Sequence, residues 1–261
     1  WISFAVFRFL VGIAIGSEWA TGSSMVAELW PDRARGKGAG LMQCGLGAGF
    51  FLASLVWLFV SRLGPDGWRY MYVIGVVPAL LTLWIRRAIP ESEVWKRAAS
   101  RRRSEKARFT LFDLFADRTL RQRTIVVFLM SLASMVGWWA ISTWLPAYTN
   151  QLARTEGYAN GAEWGNRAAI LYTIGAVCAY LASGFLIDAI GRRRFLFLTY
   201  AGALLMTPVT YLWTSSVEVM MPVAFVNGFF TLGLAFSWMA IYPVELFTSS
   251  VRSTAASFVF N

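Results

Sequence analysis

Apolar residues run along this chain in blocks long enough to cross a bilayer. A spanning helix needs about 20 mostly apolar residues. Seven stretches qualify: about 3–29, 38–61, 69–88, 122–149, 167–190, 194–214 and 220–246. An eighth begins near Ser253 and is cut off at Asn261. The expected fold class is an all-α integral membrane protein with seven full transmembrane helices plus the start of an eighth. The chain opens at Trp1 on the edge of an apolar helix, without Met, polar lead-in or signal peptide, so it reads as an excerpt of a longer membrane protein. A polar stretch, about 89–121, divides three spans from four or more. It reads as a solvated linker between two bundles, to which the charges add contact with the anionic inner leaflet.

Composition narrows the function classes. Hydrophobic residues make up 57% of the 261, and charged residues 15%, against about 25% in an ordinary soluble domain. Mean hydropathy is +0.53. Disorder and most soluble enzymes are excluded. The net charge of +10 does not imply nucleic acid, because the positions of the basic residues explain it. If the segment after the first span is cytoplasmic, 19 of the 24 Lys and Arg fall on the cytoplasmic side and four, Arg62, Arg69, Arg154 and Arg167, fall outside. That is the positive-inside bias of a multi-pass protein of the cell membrane. His is absent, which excludes His-ligated zinc and His-based triads. Cys44 and Cys178 lie in apolar runs, so no disulfide framework is expected. Neither a metal nor a cofactor is implied.

The chain also repeats itself. At a shift of 217, Gly16 falls on Gly233, Met25 on Tyr242, Glu28 on Glu245 and Arg35 on Arg252. The Glu and Arg pairs close apolar helices at AELWPDRARG and VELFTSSVRS, six spans apart. Two related halves with a site between them at mid-membrane is a transporter plan.

At these residues the sequence resembles the major facilitator superfamily. RFLVG at Arg8–Gly12 resembles that family's Arg-x-x-x-Gly in helix four, and GFLIDAIGRRR its loop signature between helices eight and nine (Gly184, Asp188, Gly191, Arg192 and Arg193). PESEVW at Pro90–Trp95 resembles a sequence after helix six of sugar porters. The resemblance covers the whole chain. It implies part of a 12-helix two-bundle fold, helices four to ten and the start of eleven. Residues 1–88 would be the second half of the N-terminal bundle, 89–121 the cytoplasmic linker, and 122–261 the C-terminal bundle. It further implies a cytoplasmic gate of charges: Glu28, Arg35, Asp188, Arg192, Glu245 and Arg252. Arg193 and Arg194 read as topological anchors. The full-length protein is expected to be a monomer in the bilayer.

Two ionisable residues lie inside the first span, Arg8 and Glu18. Such charges cost about 3 kcal/mol each on insertion scales and are read first as functional. They sit about 80° apart around the helix and roughly 15 Å apart along it, so they are not a simple pair. By resemblance Arg8 is the arginine of proton coupling, whose acid partner lies in helix one; the bland alternative is an arginine snorkelling to the interface. Glu18 is a candidate for lining the cavity or titrating.

Candidate substrate contacts are Gln43, Trp139, Trp144, Asn227 and Trp238. Gln43 and Asn227 stand out because a lone amide in an apolar helix needs a polar partner. Trp138, Tyr148, Asn150, Tyr172, Tyr180 and Tyr242 are similar, though most Trp and Tyr in membrane proteins anchor or pack. Gly36/Gly40 and Gly45/Gly49 are small-xxx-small pairs for close helix packing. The expected function is proton-coupled uptake of a small polar metabolite, carboxylate- or sialate-like, not catalysis. A sugar porter, weakened by Phe50 where such porters often carry a second Gln, and a non-transporting sensor of the same fold are the alternatives.

Overall fold

The computed structural model describes residues 1–31, 34–88, 110–247 and 251–260, and no strand occurs among them. We number the helices α1 (Ile2–Leu29), α2 (Arg35–Val60), α3 (Gly67–Gly75), α4 (Val77–Ala88), α5 (Thr110–Ala116), α6 (Arg118–Ile141), α7 (Leu145–Thr155), α8 (Gly161–Ile190), α9 (Arg192–Pro208), α10 (Val217–Gly228), α11 (Ala235–Leu246) and α12 (Arg252–Phe260). Among the described residues, six helical stretches are long and apolar enough to cross a membrane: Ile2–Ser23, Gly36–Leu63, Arg118–Thr155, Gly161–Ile190, Arg192–Trp213 and Val217–Pro243. The remaining expected span, 69–88, the third along the chain, is helical in two pieces, α3 and α4, which meet at Val76. Pro78 stands just after the break. It lacks an N–H and its ring clashes with the carbonyl four residues back, so a continuous helix fails there.

The C-terminal helices carry the core. α8 is its axis because one flank presents small residues. A Cβ on Gly175 would collide with the Phe225 carbonyl, and one on Gly228 with the Tyr172 carbonyl. Gly233 likewise rests on Ala176 and Ala179. Such contacts let helix backbones touch, the usual route to packing where lipid is as apolar as the interface.

α2 joins the two halves through a stripe on one face. Gly36, Gly40, Gln43, Gly47 and Phe50 recur at helical spacing. Gly40 faces the Tyr180 carbonyl, and Gly47 faces Val177 and the Tyr180 ring. Of the two expected small-residue pairs, Gly36/Gly40 packs in this way. Gly45 and Gly49 have nothing within 4 Å, because they fall off the stripe.

Two π-helical segments interrupt the regular helices, Val209–Trp213 and Phe229–Leu234. In lipid every backbone group must be satisfied within the protein, and side chains supply acceptors' partners here. Thr210 donates to the Met206 carbonyl (2.7 Å), Thr231 to the Asn227 carbonyl (2.8 Å) and Thr214 to the Val209 carbonyl (2.7 Å). Tyr148 reaches over from α7 to the Tyr211 and Thr214 carbonyls, at 3.3 and 3.2 Å.

Of the expected linker, residues 89–109 lie outside the described residues. Its end forms α5, whose Leu114 packs with Phe247, Val251 and Ala255. Asp117 caps α6 by accepting from the Thr119 and Leu120 amides; the Leu120 bond first and the Thr119 bond next hold its carboxyl below the usual range.

Candidate functional site: a sealed end, a polar centre and an open cleft

At the end of the bundle that carries Arg192–Arg194, α2, α8, α9 and α11 converge. α8 stops at Ile190, Gly191 turns the chain at φ +81°, and Arg192 opens α9. A positive φ suits glycine, which has no Cβ to clash. Arg192 grips Glu245 with two bonds, Nη2 to Oε1 at 2.7 Å and Nε to Oε2 at 3.3 Å. Its Nη1 lies 3.8 Å from Asp188 Oδ1. The carboxyl of Asp188 in turn sits beside the first turn of α2, 3.9 Å from where a Cβ on Gly36 would stand. A carboxylate near the N-terminal turn of a helix is favoured by the helix dipole. Nearby, Arg123 donates to the Leu246 carbonyl (3.0 Å), fixing the residue that follows Glu245. Lys37 of α2 lies 4.7 Å above the Phe185 ring of α8. Three of the expected gate charges thus meet: Asp188, Arg192 and Glu245. Arg252 starts α12, half-buried. The side chains of Glu28 and Arg35 lie outside those described.

In the middle, Gln43 is 1% exposed. Its Oε1 accepts from Trp19 Nε1 of α1 at 2.9 Å, and its Nε2 donates to the Phe236 carbonyl of α11 at 3.2 Å. The Phe236 ring meets Trp138 edge-on at 5.5 Å. Phe50 of α2 approaches the same indole at 5.9 Å, and Trp139 at 4.8 Å. From Trp138 a chain of hydrogen bonds runs through the core. Its Nε1 donates to the Tyr172 hydroxyl (3.0 Å), which pairs with Thr231 Oγ1 (2.9 Å). Thr231 donates to Asn227 Oδ1 (2.7 Å), and Asn227 Nδ2 donates to Thr210 Oγ1 (2.6 Å). One indole at the interface is thereby wired to both π segments.

At the far end, α2 and the α7/α8 pair separate. A cavity of about 430 Å³ opens there, lined among others by Phe50, Ser54, Trp57, Asn150 and Asn166. Asn166 spans it, donating to the Ser54 carbonyl at 3.3 Å. Two aromatic faces and two carboxamides suit a small ligand with a flat apolar body and a polar edge.

The expected substrate residues are scattered. Gln43 lies in the centre, and Trp139 lies beside Trp138 but is 62% exposed. Trp144 is 63% exposed at the joint between α6 and α7. Asn227 is buried with its amide engaged by two threonines, and Trp238 is fully buried beside Tyr242. Arg8 and Glu18 are exposed along α1, and the Arg8 face is open at Gly12, where a Cβ would meet nothing within 4 Å. Sequence reasoning missed Thr210, Thr231, Phe236, Asn166 and Arg123. Threonine and backbone carbonyls carry no spacing signal, and in the sequence Arg123 is one of many basic residues on the cytoplasmic side.

The family model described as Major Facilitator Superfamily matches residues 1–260. The chain is 30% identical over 256 residues to the probable 4-methylmuconolactone transporter of Cupriavidus pinatubonensis, covering 97% of this chain and 57% of that one. It is 26% identical over 274 residues to the cis,cis-muconate transport protein of Acinetobacter baylyi (100% and 62%). It is 24% identical over 264 residues to the sialic acid transporter NanX of Escherichia coli (98% and 60%). The chain therefore spans about three fifths of the length of these curated relatives.

Proposed function

The chain belongs to the Major Facilitator Superfamily, and from that premise we propose that the whole protein takes up a small planar carboxylate together with protons by alternating access. It is a multi-pass membrane protein and a transporter by kinship, not an enzyme. The observation that carries the finer reading is the asymmetry of the α2–α8 interface. Glycines and the Arg192–Glu245–Asp188 cluster close the basic end, while a cavity opens at the other beside an aromatic cluster. With the basic end cytoplasmic, this is an outward-facing arrangement.

The substrate class follows from the chemistry of that path. Indole and phenyl faces favour a flat conjugated body, and carboxamides offer donors to a carboxylate. Muconate, named for one relative, is such a molecule, which supports the reading. Residues 1–88 and 122–261 are the parts of the two bundles that move against each other, with 89–121 as their linker. Phe50 lines the cavity with Trp138 packed against it, and Trp139 and Trp144 are further substrate contacts in this reading; Gln43 faces the centre, and Asn227 and Trp238 support it from the core. Arg8 is the coupling arginine and Glu18 an accessory titrating group. Glu28, Arg35, Asp188, Arg192, Glu245 and Arg252 latch the cytoplasmic end.

The test uses the whole protein in proteoliposomes with an inward proton gradient. Internal pH is followed while muconate, gentisate, sialic acid and hexoses are added in turn. Acidification with the unsaturated acids, absent with hexoses, is expected. Labelled substrate that equilibrates without acidification would make the protein a uniporter, and Arg8 an anchor.

A further inference from the structure

Gln43 divides its carboxamide between the two halves of the molecule. Oε1 is held by Trp19 on α1, and Nε2 is aimed at the Phe236 carbonyl on α11. At 1% exposure neither polar atom has water to fall back on, so each bond is needed in the closed form. Only a side chain with an acceptor and a donor on one planar group can make this pair of bonds at once. The position also matters. Gln43 sits on the α2 stripe between Gly40 and Gly47, both pressed against α8. Phe236, whose carbonyl it holds, is the residue whose ring supports Trp138.

We propose that Gln43 is a strut across the two halves, whose bond to the Phe236 carbonyl keeps the centre shut and must break before the basic end can open. The proposal rests on the alternating-access reading above. It makes Gln43 a positioning residue that sets which side is open, where the sequence suggested a substrate ligand. Both polar atoms are already engaged, so a substrate reaches the amide only by displacing one of the partners.

The experiment reads accessibility without substrate. In the whole protein, with Cys44→Ala and Cys178→Ala, Ser183→Cys places a thiol on α8 beside Gly40. Ser183 is fully buried. A membrane-impermeant maleimide is applied from the basic side. Gln43→Met is expected to raise the labelling rate about fivefold, the population change that one ordinary buried hydrogen bond sustains. Gln43→Glu keeps the shape and is the check if the Met variant folds poorly. Once the pH is high enough to ionise it, the introduced carboxyl has no donor for Phe236 and should label fast; protonated at low pH it keeps an O–H donor and should label slowly. Rates are taken relative to the Gln43 background at each pH.

Labelling rates unchanged in both variants would overturn the strut. Because no substrate is present, the result does not depend on the substrate class. Labelling that responds while no acid is transported supports the strut and removes the planar-acid reading. Transport of the acids with unresponsive labelling does the reverse.

Discussion

The two ends of the α2–α8 interface are built from different kinds of residue. Towards the basic end, Gly36, Gly40 and Gly47 meet Gly184, Ser183, Tyr180 and Val177, and backbone approaches backbone. Towards the far end the same stripe carries Phe50, followed by Ser54 and Trp57, and the helices part around about 430 Å³. Contact is made where glycine lets the helices touch; at the far end Phe50 and Trp57 stand opposite the small residues Ala162, Gly165 and Ala169 of α8, and space remains between them. In a bilayer this follows from the absence of a hydrophobic drive between helices, since close approach and hydrogen bonding must do the joining. A transporter needs this inequality, because one end must hold while the other admits substrate.

Gly184→Ala should break the comparison most severely. The new Cβ would stand 2.7 Å from Lys37 Cα and 2.8 Å from Lys37 N. Backbone cannot yield as a flexible side chain does, and overpacking of this kind costs about 1–3 kcal/mol. We expect the closed form to be depopulated, seen as about tenfold faster thiol labelling from the basic side, with loss of uptake. Gly45→Ala, where nothing lies within 4 Å, should leave labelling unchanged. If both substitutions behave alike, the sealed and open faces of α2 do not differ.

Tyr172→Phe comes next and separates packing within one half from closure between halves. It removes the link between Trp138 and Thr231, leaving a part-buried indole N–H without its acceptor. The cost expected for such a group is about 1–3 kcal/mol. Every member of this chain lies in the C-terminal set, so the thermal midpoint in detergent should fall by several degrees while sidedness of labelling stays constant. A change of sidedness would show that the core network and the interface act as one.

The sequence made the spans and the charge asymmetry readable, because each depends on residue type along the chain; the Asp188–Arg192–Glu245 cluster was implied only by the family resemblance. α2 was readable as a packing helix, yet the working glycines could not be told from Gly45 and Gly49, since composition does not reveal which face meets a partner. Asn227 was singled out as a lone amide, and its demand for a partner is met by Thr210 and Thr231. No pattern announces a π segment, so those threonines had no reason to stand out. Gln43 was found for its polarity; its partner on α11 is a backbone carbonyl, which any residue could supply.

The smallest effect expected is at the Arg192–Glu245 pair, for all its good geometry. Two parallel bonds fix its direction, but the side chains remain 46% and 36% exposed. Water and salt therefore screen much of the attraction, and exposed pairs contribute at most about 1 kcal/mol. A double-mutant cycle with Arg192→Gln and Glu245→Gln, read by thiol labelling from the basic side, should give a coupling of a few-fold that shrinks as added salt shortens the Debye length. The glycine seal should show no such salt dependence, because it involves no charge. A coupling that stayed large in high salt would mean that the pair is shielded in the whole protein. Closure at the basic end would then be electrostatic first and steric second, the reverse of the order argued from the α2 stripe.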